Sequence, residues 1–159
     1  MSFLPDPAAL SRWPVRPPSE VEWEELLVHL EIYPRVLRIA LDEAPEGTDR
    51  ALPLLERLAA REAWLSGALE VLRQGGRVVP EAPPPAPGAP DAPALVWRID
   101  SLRARSFARV QRRGLEVWDW EAARADGEGH VAAYPLLKQV AQDDGEALAA
   151  VRTVLRGEG

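Results

Sequence analysis

The sequence predicts an all-α protein, a four-helix bundle, on three observations. Four long stretches carry apolar residues at three- and four-residue steps, the period of one helical face. Helix-start and helix-stop chemistry brackets these stretches. Between them no alternating apolar and polar pattern runs longer than the short segments RVV and LEVW, so no sheet is expected. A short first connection and long second and third ones arrange four such helices as a bundle. The chain has 159 residues, the size of one domain. At that length about two thirds of the unfolded surface can be buried, enough for a core without disulfides or structural metal.

Residues 1–18 hold Pro5, Pro7, Pro14, Pro17 and Pro18. Proline fixes φ and lacks an amide proton, so this stretch reads as an extended N-terminal arm, not a helix or an inner strand. Phe3, Leu4, Leu10 and Trp13 are the side chains able to pin it to the body. A single domain is expected over 19–159. Ser19-Glu20-Val21-Glu22 is a capping box, serine at the cap and glutamate three residues on. It opens a first helix to about Glu43, with an apolar face of Leu26, Leu30, Tyr33, Leu37, Ala40 and Leu41, and Trp23 and Leu27 beside it. Pro34 bends this helix without ending it, because the period continues past it. After a turn at 44–47, Thr48 or Asp49 caps a second helix to about Gln74. Leu54, Leu55, Leu58, Trp64, Leu65, Ala68, Leu69 and Leu72 are its buried side, and Gly75-Gly76 ends it.

Residues 77–93 form a proline-rich connection containing PEAPPPAPGAPDAP, a semi-rigid polyproline spacer that crosses between helix pairs. Asp91, with Pro93 just inside, starts the third helix, which reaches Gly114 and buries Leu95, Ile99, Leu102, Phe107 and Val110. The connection over 115–131 carries Trp118 and Trp120. Tyr134 to Arg156 is the last helix. Leu136, Leu137, Val140, Ala147, Leu148, Val151, Val154 and Leu155 line one face, and the pair Asp143–Asp144 interrupts it halfway.

Composition narrows the function classes. The chain has no cysteine, which excludes disulfides, thiolate ligands and a cysteine nucleophile and fits a reducing cytoplasm. No apolar stretch nears the ~18 residues of a membrane span, so a soluble, cytoplasmic protein with no membrane role is expected. A net charge of −6 argues against nucleic acid as a partner. Lys138 is the only lysine, asparagine is absent and there are sixteen prolines, the mark of a GC-rich and thermophilic source.

Three segments, in this order, carry a resemblance: YPRVLRIAL at the end of the first helix, LLERLAAREAWL in the second and LLKQVAQDDGEALAAV in the fourth. Together they resemble the DinB-like (YfiT-like) four-helix bundles, which include bacterial thiol transferases. The family holds a divalent metal with one histidine on helix two and two on helix four at i and i+4, a spacing that stacks both on one face. Carried onto this sequence, those positions are Arg57, Asp143 and Ala147, with Glu62 and His130 as pocket neighbours. Arginine has no lone pair to give a metal. The resemblance thus implies the bundle with a degenerate metal site, no metal and no cofactor. Arg57 and Asp143 are expected either to form an ion pair in the vacated site or to stand as solvated surface residues.

Other constellations lack parts. His29 lies off the apolar stripe of the first helix and reads as a surface residue. No serine sits in a nucleophile elbow, and Gly75-Gly76 is too short to cradle phosphate. The third helix carries Arg98, Arg103, Arg105, Arg109, Arg112 and Arg113, read either as a hold for an anion or, more simply, as a solvated face complementing acids of the first helix. Trp118 and Trp120 either cover the open end of the bundle or meet a second copy. With no catalytic residue assigned, the expectation is a non-catalytic binding or interaction protein, a homodimer with room for a small-molecule ligand. The alternative is a transferase or hydrolase of the same superfamily with altered ligands.

Overall fold

The computed structural model describes residues 5, 7–78, 91–127 and 129–157. Helices α1 (Pro7–Leu10), α2 (Glu20–Asp42), α3 (Thr48–Gln74), α4 (Ala92–Arg113) and α5 (Ala133–Leu155) dominate it. Three short strands, β1 (Arg77–Val78), β2 (Glu121–Arg124) and β3 (His130–Ala132), complete it. The chain is therefore mostly helical, consistent with the all-α expectation, with a small three-stranded sheet that was not foreseen. β1 pairs parallel to β2, Arg77 opposite Ala123, and β2 pairs antiparallel to β3, Glu121 opposite Ala132. No strand is long enough to show an alternating pattern, and the parallel pairing joins segments separated by the whole of α4. Of the two segments singled out for strand character, RVV supplies β1, while LEVW winds as a 3-10 turn over Gly114–Asp119.

Local chemistry sets most helix ends. The Ser19 hydroxyl accepts the Glu22 amide at 3.2 Å and starts α2. The Asp91 carboxylate accepts the Ala94 amide at 2.9 Å and starts α4. Gly75, at φ 74°, closes α3 in the left-handed conformation that a side chain would oppose. α2 runs unbroken through Pro34. At the start of α3, neither Thr48 nor Asp49 is the cap: Gly47 holds that place, and the Thr48 hydroxyl donates to the carbonyl of Pro45. Close packing explains the glycine. A Cβ at Gly47 would fall 2.7 Å from the carbonyl oxygen of Leu155, at the end of α5.

The N-terminal segment also departs from expectation. Proline is tolerated in a first helical turn, where its missing N–H would have no partner, and Pro7–Leu10 forms one such turn. Leu10 is buried, Trp13 packs beneath Lys138 of α5, and Arg124 donates to the Pro5 carbonyl at 2.6 Å. Phe3, Leu4 and most of the proline-rich connection lie outside the described residues.

α2 and α3 each pack against both α4 and α5, so the four long helices share one interior. That interior is two apolar clusters. One gathers Trp23, Leu26, Leu30, Leu65, Leu69, Val110, Leu136 and Val140 near the sheet. The other gathers Tyr33, Leu37, Leu55, Leu58, Leu95, Ile99, Val151 and Leu155 at the far end. Trp118 stands edge-on to Trp23 at 6.3 Å, and Trp120 is buried in the first cluster. The two tryptophans cover an end of this chain's own core, while Trp97 on α4 is exposed.

Candidate functional site

Four charged side chains lie between the two apolar clusters. Glu62 and Arg61 come from α3, Arg103 from α4 and Asp144 from α5. Each of Glu62, Arg103 and Asp144 occupies a step of its helix's apolar series: Leu58–Glu62–Leu65, Ile99–Arg103–Ser106–Val110 and Val140–Asp144–Val151 are all buried faces. The helical period therefore turns them inward, and Glu62 is 0 % and Arg103 3 % exposed.

Arg103 sits at the centre. Its Nε and Nη2 donate to Glu62 at 2.9 and 2.6 Å, and its Nη1 and Nη2 donate to Asp144 at 2.9 and 3.0 Å. A further Nη1 bond of 2.9 Å reaches the carbonyl of Leu30 on α2. Those bonds match the five N–H groups of a guanidinium, and each carboxylate is met in the bidentate manner. Arg61 adds Nη2 bonds to Asp144 at 2.6 Å and to Glu62 at 3.1 Å. The Tyr33 ring lies beneath both cations, 4.8 Å from Arg103 and 5.3 Å from Arg61. Its hydroxyl and Arg61 Nε are buried without a partner.

Electrostatics close the cluster on itself. Burial alone would raise the Glu62 carboxyl, but the guanidinium groups of Arg103 and Arg61 override it and hold Glu62 below its ordinary value. Arg103 and Arg61 lose by burial and gain more from the two carboxylates, ending above the ordinary arginine value. Burial pushes the Tyr33 phenol up to about 12. General acid–base work needs a group that titrates near working pH, and these groups are driven away from it. The hollow beside Arg103, lined by Leu27, Leu30, Leu65, Phe107 and Leu137 among others, has about 10 Å³. That is no more than one water needs.

The residues singled out from sequence are placed differently. Arg57 is exposed on α3, one turn before Arg61. Asp143 is half-buried, accepts from Gln139 Nε2 at 3.0 Å and is raised by burial. The ion pairs of the described residues include none between Arg57 and Asp143; the pair joining these two helices is Arg61–Asp144, a turn and a residue further on. Ala147 is half-buried against the second apolar cluster. Glu62 is central, whereas exposed His130 lines a groove of about 250 Å³ between the N-terminal segment and β3, with Pro7, Leu10 and Trp13. His29 is exposed. Arg61 went unnamed in the sequence reading, while Tyr33 was placed only on an apolar face, Arg103 only among the third helix's arginines and Asp144 only in a polar interruption. The signal available for Arg103 and Asp144 was their place on apolar faces.

The metal implied by the DinB-like resemblance does not fit here. Among the described residues no three His, Cys, Asp or Glu side chains group to hold an ion. All four carboxylate oxygens of Glu62 and Asp144 already accept from guanidinium.

The α4 arginines have a second address. Arg105, Arg109, Arg112 and Arg113 line a cleft of about 330 Å³ with Arg73 and Glu70 of α3. Glu70 binds Arg73 at 2.5 Å and lies 3.7 Å from Arg109, which also donates to the Ser66 carbonyl at 2.7 Å. Arg105 and Arg112 make no hydrogen bond or ion pair among the described residues. This face meets α3, not the acids of α2; the ion pair between α2 and α4 is Arg38–Asp100, at 3.9 Å.

Comparison of the chain with protein-family models, curated proteins and solved structures finds no match. No helix is long and apolar enough to cross a membrane among the described residues.

Proposed function

We propose that this chain is a DinB-like four-helix bundle with a degenerate metal site, and that it serves as a non-catalytic binding or interaction protein acting as a homodimer. The observation that carries the reading is Arg103, bonded to Glu62 of α3 and Asp144 of α5. The DinB-like family draws its metal ligands from the second and fourth of its helices, to which α3 and α5 correspond. A buried cation satisfied on every N–H ties those helices together and leaves no oxygen of Glu62 or Asp144 free to hold a metal. Metal analysis with a thermal-shift series over divalent ions tests the proposal. The expected result is substoichiometric metal and no shift in Tm. Stoichiometric zinc or nickel, or a large stabilisation by either, overturns it and returns the transferase or hydrolase with altered ligands.

A second reading attaches to the α3–α4 cleft. Five arginines and one glutamate face a space of about 330 Å³, within the range of small-molecule sites. A net positive cleft on a chain of net charge −6 selects a small, multiply charged anion. Calorimetric titration with inorganic pyrophosphate is the test. Binding that weakens with salt and falls roughly tenfold or more in Arg105→Gln/Arg112→Gln supports the cleft as a ligand site, a factor worth about 1.4 kcal/mol. Absence of heat, or binding unchanged in that variant, removes it.

A further inference from the structure

The outer face of α2 is apolar. Val21, Val28, Ile32 and Ile39 are 63, 57, 43 and 49 % exposed, four of the seven large apolar residues exposed among those described. At 100° per residue they fall within a wedge of about 40°, opposite the buried Leu26, Leu30, Tyr33 and Leu37. A helix packed on one side ordinarily turns only polar residues outward, and an apolar row on the far side, here flanked by exposed Glu24, Glu25 and Arg35, marks an interaction surface.

The stripe is self-complementary. Its positions are symmetric about Leu30, so a second α2 laid antiparallel sets Val21 level with the partner's Ile39, and Val28 level with the partner's Ile32. The same superposition brings Glu24 within one residue of the partner's Arg35, on the same flank of the seam. A parallel pairing would instead set Glu24 level with the partner's Glu24 and Arg35 level with the partner's Arg35, on opposite flanks, with no opposite charges brought together. Two-fold interfaces require this kind of self-match.

We infer that the outward stripe of α2 is the homodimer interface, seated antiparallel on α2 of a second copy around Val28 and Ile32. This inference rests on the homodimer reading above and names its surface. Because the chain has no cysteine, engineered pairs report the geometry cleanly. In an antiparallel dimer the double variant Val21→Cys/Ile39→Cys links two chains under mild oxidation. Val21→Cys alone does not, since its two copies stand about 27 Å apart along the seam at 1.5 Å per residue. Ile32→Glu weakens the dimer roughly tenfold or more by light scattering, with the helical circular dichroism signal unchanged. Glu24→Arg and Arg35→Glu each weaken it, and their combination restores it. Cross-linking of Val21→Cys alone, or a dimer indifferent to Ile32→Glu, overturns the α2 interface while leaving the homodimer intact. A wild-type monomer at high concentration overturns both.

Discussion

The inner and outer faces of the helical body invert the usual pattern, and they do so for opposite reasons. Inside, Glu62, Arg103, Arg61 and Asp144 form a layer of two cations and two carboxylates between apolar clusters. Outside, α2 displays four branched apolar side chains to solvent. The inner charges are tolerated because geometry satisfies them: desolvation costs several kcal/mol per ion, and only close bidentate pairing offsets it. The outer stripe has no such internal compensation within the described chain. Buried charge with paired counter-charge locks a fold, whereas exposed apolar surface with internal symmetry points to a second copy.

The sharpest way to break this comparison is to remove the centre of the inner layer. Arg103→Ala leaves two carboxylates buried beside Arg61 alone and is expected to cost about 3–5 kcal/mol in denaturant unfolding. Replacing Arg103, Glu62 and Asp144 together by Met, Leu and Leu is expected to recover most of that loss, since a well-packed apolar layer equals or exceeds a buried ion set. Failure of the triple variant to recover would show that Arg61, left without carboxylates, carries the cost.

Acid comes next. Glu62 is held below its ordinary value in the folded chain, so its share of stability is present above the unfolded carboxyl value, near pH 4, and is lost as pH falls through the folded one. Glu62→Gln is expected to be less stable at neutral pH and to show a flatter acid limb. The outer face should behave differently. Ile32→Glu is expected to shift the monomer–dimer equilibrium roughly tenfold while leaving the pH dependence of chain unfolding unchanged.

The smallest effect is alkaline. Tyr33 is raised from 10.0 to about 12 by burial, so between those values the unfolded chain gives up this proton before the folded one. Stability should therefore fall as pH rises through that window. Tyr33→Phe removes this slope, and because the hydroxyl has no partner, its stability at neutral pH is expected to stay level or rise by about 1 kcal/mol. Equilibrium unfolding at pH 8, 10 and 11.5 distinguishes the two chains.

Much of the fold was legible because it is written locally. Ser19, Asp91, Gly75 and Gly114 mark helix ends by capping chemistry, and Leu26, Leu30, Leu37, Leu55, Leu69, Ile99 and Val151 mark buried faces by period alone. The site was legible only in kind. Arg57 and Asp143 were expected either to pair between α3 and α5 or to stand as solvated surface residues, and the pair joining those helices is Arg61 with Asp144. Motif alignment set the positions, whereas the apolar register had already turned Asp144, not Asp143, toward the interior.

The sequence by itself determined four long amphipathic helices, most of their boundaries and most of their inward faces, because each of these depends on residues within a turn or two of one another. Tertiary structure alone decided that Arg103 would meet carboxylates 41 residues away on either side. It alone decided that Val78 would find Arg124 across α4. Those pairings depend on how helices dock in three dimensions, and no local propensity records which distant charge will be waiting opposite.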